Sequence, residues 1–192
     1  MDSGSKIVSS ESEELILVDT QDIETGHLPK AECHDGDGVL HRAFSLFLFN
    51  GCRELLLQQR GASKRLWPGY WSNSCCSHPR RGESIQTAAQ RRLKDELDIT
   101  AKLKFVYKFH YQASFGEAGS ENELCHVFVG TTDGVLRPNV SEIAEVRFVT
   151  ASELSKELET GADAFTPWFE MEWRELNQKY PDVLARYCDP DR

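Results

Sequence analysis

The sequence predicts a mixed α+β domain built on a central sheet. Three observations carry that reading. Short apolar or alternating segments recur along the chain between glycine, proline and asparagine turns. Segments of helical period lie among them, the clearest with Ile85, Ala89, Leu93 and Leu97 at i, i+4 spacing. The chain has 192 residues, 40% of them apolar, which suits one compact core burying roughly 70% of the unfolded surface without disulfide staples.

Residues 1–12 are polar and acidic, and they predict a flexible tail ahead of a single domain over 13–192. Residues 14–19 (ELILVD) read as the first strand, ended by a polar stretch and Gly26. A glycine-rich loop spans 34–38. Residues 40–49 and 54–60 read as two strands joined by the Asn50-Gly51 turn, a hairpin. An aromatic loop around Trp67-Pro68-Gly69 runs into SNSCCSHP at 72–79. Ser84 is the expected N-cap of a helix to about Leu97. Residues 105–115, 123–130 and 145–150 read as strands. Ser152 is the expected cap of a short helix, and Pro167 fits the first turn of a last helix to about Tyr180. There is no internal repeat and no linker.

Charge narrows the function. With 22 basic and 31 acidic residues the net charge is −9. Such a chain is a poor partner for nucleic acid, which is held by basic residues neutralising phosphates. A small anion can still be bound through a local cluster of cations or through metal ions. No apolar stretch is long enough to span a membrane. The N-terminal residues lack the basic and apolar regions of a secretory signal, so a cytoplasmic protein is expected, with its six cysteines as thiols, ligands or nucleophiles before disulfides.

Three segments are rich in ligand-type residues: His34 with His41, Cys75-Cys76-Ser77-His78, and Glu121-Asn122-Glu123. The two glutamates, two apart on an expected strand, project from one face. Imidazoles and carboxylates are the usual ligands of Zn2+, Mn2+ and Fe2+. A single histidine is more often structural than a ligand; the joint occurrence of three beside paired glutamates points to a metal. Arg92 and Glu96 share a helical face. Spacing alone reads them as a solvated ion pair. The alternative is a carboxylate holding a metal–diphosphate with arginine on the phosphate oxygens. Cys76 sits between aromatics and a histidine, where a positively biased site can lower a thiol's pKa and let it act as acid, base or nucleophile. An inert buried thiol is the alternative, and the expected state of the other five cysteines.

These residues resemble type I isopentenyl-diphosphate isomerases. SNSCCSHP at 72–79 is similar to that family's cysteine motif, and ENELC at 121–125 to its glutamate motif. His34 and His41, Trp67-Pro68-Gly69 and Thr166-Pro167-Trp168-Phe169 match as well, and the resemblance covers about residues 13–180. It implies a Nudix-like α/β/α sandwich with a mixed central sheet. The runner-up is a Nudix-type diphosphohydrolase, but the hydrolase box is broken. Ser77 stands at its first glycine, Arg92 and Asp95 at two of its glutamates, and Asp98 at its final glycine; only Glu83, Arg91 and Glu96 hold.

The resemblance implies interconversion of isopentenyl and dimethylallyl diphosphate. An alkene must be protonated and the neighbouring carbon deprotonated on the opposite face. By resemblance Cys76 and Glu123 are the acid/base pair. Tyr111 assists proton delivery, and the Trp168 ring steadies the carbocation, a contact worth on the order of 2 kcal/mol when desolvated. The resemblance also makes His34, His41, His78, Glu121 and Glu123 the ligands of one divalent ion, Mn2+, Mg2+ or Zn2+. It puts Glu96 against a diphosphate-bound Mg2+, and Lys30, Arg60, Lys64 and Arg92 on the diphosphate. The expected partner is a small isoprenoid diphosphate, acted on by a monomer or weak dimer.

Overall fold

The structure, a computed structural model, describes residues 8–161 and 164–188. Its nine strands form one mixed sheet. The organising element is β3 (His41–Phe49), whose nine residues HRAFSLFLF are almost wholly buried. Phe44, Leu46 and Leu48 face one side, while Ala43, Phe47 and Phe49 face the other. A strand apolar on both faces needs cover on both. Helix α2 (Ile85–Leu97) supplies it on the first face through Ile85, Ala88, Ala89, Leu93 and Leu97. On the second, α3 (Ala151–Thr160) and α4 (Pro167–Lys179) bring Leu154, Phe169, Trp173 and Leu176. The expected α/β/α sandwich is what forms.

Strand β8 (Ser120–Thr131) runs parallel to β3 from His41↔Glu123 to Phe49↔Thr131, and β7 (Lys102–Ser114) pairs antiparallel to β8 at the edge. On the other flank β3 meets β1 (Glu14–Val18) at one residue, then β6 (Cys75–Ser77) over Phe44–Leu46.

Several expectations need correction. The 40–49/54–60 hairpin makes a single pair, Phe49↔Leu55. Beyond it β4 (Leu55–Arg60) turns to β9 (Ile143–Val149) and β5 (Trp71–Ser72). The Ser74 hydroxyl is the wedge: it accepts from Leu48 N–H at 2.8 Å and donates to Leu56 O at 2.6 Å, so each strand's free group is satisfied by a side chain. The polar stretch after β1 contains another strand, β2 (Glu24–Pro29), antiparallel to β1. It is an edge strand, where Gly26 and a terminal Pro29 are tolerated; α1 (Lys30–Cys33) follows directly.

Ser84 caps α2 as expected, its hydroxyl accepting from Thr87 N–H. Helix α3 is capped by Thr150, not Ser152, in a capping box with Glu153. Helix α4 is not the last, because α5 (Pro181–Leu184) follows it. Of the tail expected over 1–12, residues 1–7 lie outside the described residues. Val8 is 3% exposed, and Ala31 N–H donates to Glu11 O, so this end of the chain is held rather than free. No described helix is long and apolar enough to cross a membrane.

Candidate active site

The pairing around β3 assembles the site. His41 lies on β3, Glu121 and Glu123 on β8 along one flank, and Cys76 with His78 on or just past β6 along the other. His34 arrives from the end of α1. Its approach depends on Gly119, at φ +130, where a Cβ would overlap the His34 carbonyl oxygen; Ser120 N–H donates to that same oxygen at 3.0 Å.

The three imidazoles pack with ring centroids 4.7 to 5.3 Å apart. One donor atom from each of His34, His41, His78, Glu121 and Glu123 lies within 4.8 Å of all the others. His34 and His41 each spend Nδ1 on a backbone carbonyl, Lys30 O and Val39 O, both at 2.7 Å. That fixes the tautomer and turns Nε2 inward, as for a ligating imidazole. His41 Nε2 is buried without a hydrogen-bond partner, 3.7 Å from Glu123 Oε1. His34 Nε2 stands 2.9 Å from Glu121 Oε2, and His78 Nε2 stands 2.7 Å from Glu123 Oε1. An orphaned inward nitrogen among two carboxylates is the environment a divalent cation completes, so the residues fit the metal.

Crowding shifts the charges of these groups. Burial, reinforced by repulsion from Glu121, pushes the Glu123 carboxyl up to about 8. Burial opposes ionisation of Glu121 as well, but the neighbouring imidazoles, His34 first, outweigh it and hold the group low. Burial pulls His41 down to about 4, with His78 adding to it.

A cleft opens beside this cluster, and Cys76, Tyr111, Glu123 and Trp168 all line it. Tyr111 OH donates to Glu123 Oε2 at 2.6 Å. Trp168 Nε1 donates to Ser72 Oγ at 3.1 Å, and its ring packs on Trp67 and Tyr111. The expectation of an acidified Cys76 thiol is corrected: burial pushes it up to about 12 and outweighs Arg60, the chief opposing charge. The thiol therefore holds its proton here. Cys33, Cys52, Cys75, Cys76 and Cys125 stand outside any disulfide.

The expected diphosphate residues share the same cleft: Lys30, Arg60, Lys64 and Arg92 all line it. Their partners are specific. Arg60 donates to Leu66 O and Trp67 O, locking a turn in which Trp67 has φ +46, and its guanidinium lies 5.1 Å from the Trp168 ring centre. The Arg92–Glu96 pair is buried, not solvated: Arg92 Nε donates to Glu96 Oε1 at 2.7 Å, and both residues are 2% exposed. Glu96 also takes the Cys75 thiol at 3.5 Å, and it sits behind Arg92 rather than on the cleft wall. Burial pulls Lys64 down despite the Glu142 carboxylate beside it.

Sequence reasoning missed four contributors. Ser9 and Glu11 line the cleft, with Lys30 Nζ donating to Ser9 Oγ at 3.0 Å and Glu11 Oε1 at 2.8 Å. Arg65 ties three segments together through Ala118 O, Ala31 O and Asp35 Oδ1. Glu142 pairs with Lys64 and Arg92. None stands in a motif, and each takes its place through tertiary packing.

Comparison with known proteins adds independent findings. Residues 39–169 match the NUDIX domain. The chain is 42% identical over 175 residues to "Isopentenyl-diphosphate Delta-isomerase 1" of Photorhabdus laumondii, covering 90% of this chain and 99% of that protein. It is 40% identical over 174 residues to the isopentenyl-diphosphate Delta-isomerase of Serratia proteamaculans, covering 91% and 97%. Among solved structures, a Deinococcus radiodurans protein superposes with a TM-score of 0.66 at 20% identity, over 91% of this chain and 99% of that one. The MutT protein of Methanosarcina mazei does so with 0.58 at 17% identity, over 73% and 96%. At those identities the structures bear on the fold alone.

Proposed function

Since the chain belongs to the isopentenyl-diphosphate Delta-isomerase family of NUDIX-domain proteins, we propose that it interconverts isopentenyl diphosphate and dimethylallyl diphosphate. The observation that carries this reading is a single cleft lined by Cys76, Tyr111, Glu123 and Trp168 together with five cations, Lys30, Arg60, Lys64, Arg65 and Arg92.

The substrate's diphosphate lies against Lys30, Arg60, Lys64 and Arg92, and Glu96, buried behind Arg92, holds that guanidinium in place rather than meeting the Mg2+ that would accompany the diphosphate. Its five-carbon chain then lies toward Cys76 and Glu123. Those two residues reach the cleft from β6 and β8, opposite flanks of β3, as a reaction on two faces of a flat hydrocarbon requires. One donates a proton to the terminal alkene carbon, which leaves a tertiary cation. The other removes a proton from the carbon on the diphosphate side, and the double bond shifts. Tyr111 holds the Glu123 carboxyl through its 2.6 Å hydrogen bond. Trp168 faces the cation with its ring, and the buried aromatics around it keep out water that would trap the cation. A divalent ion, Mn2+, Mg2+ or Zn2+, on the three histidines and two glutamates would draw charge from Glu123 and lock its orientation.

The hydrolase alternative loses ground at Arg92. A guanidinium paired with Glu96 occupies a helix position where the hydrolase pattern needs a metal-binding carboxylate.

The decisive experiment is incubation with isopentenyl diphosphate in heavy water. Deuterium is expected in the dimethylallyl product, and Cys76→Ala is expected to abolish it while fold and metal content persist. Full activity of Cys76→Ala, or phosphate release from nucleoside diphosphate compounds without isomerisation, refutes the proposal.

A further inference from the structure

Glu142 lies immediately before β9 and outside every sequence motif discussed above. It is 5% exposed. Its carboxylate takes the Lys64 ammonium and, at 3.1 Å, Arg92 Nη2. Two of the five cations facing the cleft thus share one carboxylate that does not itself line it.

The main chain of Glu142 fixes the same region. Gly61 N–H donates to Glu142 O at 2.8 Å, Lys64 N–H donates to Gly61 O at 3.1 Å, and Glu142 N–H donates to Asn139 O at 2.9 Å. A Cβ on Gly61 would come within 3.1 Å of Glu142 O. The turn that begins at Arg60 and ends at Lys64 is therefore laid directly on the backbone at Glu142. Arg92 is fixed on its remaining sides by Glu96 and by Val8 O at 2.7 Å. A buried cation without a partner is costly. Here one residue supplies the partner for two cations and the anchor for the loop that carries one of them.

We propose that Glu142 is a positioning residue for diphosphate binding: it holds Lys64 and Arg92 in fixed relation so that both present charge to the same anion. This rests on the isomerase reading for the identity of that anion. A simple structural ion pair would affect stability alone. A positioning role changes anion affinity while leaving the chemistry at Cys76 and Glu123 in place.

The test measures Mg2+–pyrophosphate binding by calorimetry together with steady-state kinetics on isopentenyl diphosphate. Glu142→Gln is expected to weaken pyrophosphate binding and raise KM in parallel, by about tenfold or more, the scale for breaking a desolvated charge pair. Its kcat is expected to stay within about twofold of the parent. On a Lys64→Met background the same change is expected to have a smaller effect, because coupled partners are not additive. Binding as tight as the parent's or tighter, a loss confined to kcat, or full additivity with Lys64→Met overturns the proposal. Should Glu142→Gln not fold, Glu142→Asp carries the test. It keeps the charge but withdraws it by one methylene, and parent-strength binding there is equally fatal. A parent protein that binds Mg2+–pyrophosphate yet leaves isopentenyl diphosphate unchanged sinks the isomerase reading, while the ratio between variant and parent still decides the role of Glu142.

Discussion

Glu172 is fully buried in α4, one turn beyond Trp168. The Cys125 thiol lies 3.4 Å from its Oε1, and its Oε2 has no hydrogen-bond partner. Burial raises its pKa from 4.5 to about 8. Between those values the folded protein keeps a proton that the unfolded chain has released. Stability from this group is therefore complete below pH 4.5 and falls as pH rises to 8, at up to about 1.4 kcal/mol per pH unit. Glu172→Gln is expected to remove that slope, so its melting temperature should gain on the parent's steadily from pH 5 to pH 8. Parallel melting curves across that range refute the assignment. The contrast with Cys76, His78, Glu121 and Glu123 shows what a sequence reveals about single residues. Those four stand in short local motifs with their chemistry side by side. Glu172 sits alone on an amphipathic helix, and only the packing of α4 on β3 and β8 makes it a buried acid.

Elements with a strong local signal were readable, and those defined by their neighbours were not. Helix α2 announces itself through Ser84, the i, i+4 apolar line and a clear end; Asp98 closes it at φ +58. β2, by contrast, carries glycine and proline and exists because β1 offers it an edge. β5 and β6 are too short for any periodicity, and the Asn50-Gly51 turn suggested a ladder that the Ser74 hydroxyl prevents. The connection between β7 and β8 gives a test at this scale. Gly116 and Gly119 both have positive φ, but a Cβ on Gly116 meets nothing within 4 Å. Gly116→Ala is expected to cost about 1–2 kcal/mol of stability for the left-handed backbone alone and to leave metal content unchanged. Gly119→Ala must also push away the His34 carbonyl, and it is expected to lower metal stoichiometry as well as the melting temperature. Equal metal loading in the two variants would show that His34 does not depend on that close approach.

Across the whole molecule, a protein of net charge −9 gathers five cations on the wall of one cleft and sets a buried cluster of three histidines and two glutamates beside them. Filling that cluster couples metal to folding. A ligand at a hundred times its Kd adds about 2.7 kcal/mol of stability. Added Mn2+ is therefore expected to raise the melting temperature of the metal-stripped protein. His41→Ala is expected to abolish most of that rise and to lower metal content by elemental analysis; an unchanged rise would remove His41 from the ligand set. The family resemblance carried by the motifs on β6 and β8 let the layered architecture be anticipated. The hold of residues 8–11 on Arg92 and Lys30 could not be, because Val8, Ser9 and Glu11 have no local pattern. They are defined by what they meet: Arg92 through Val8 O, and Lys30 through Ser9 and Glu11.

That last contact bears on how the enzyme is handled at the bench. Ser9 and Glu11 line the cleft, and Ser10 between them is exposed, so a label on Ser10 sits beside the proposed ligand site. A solvatochromic dye there is expected to report ligand arrival as a spectral shift.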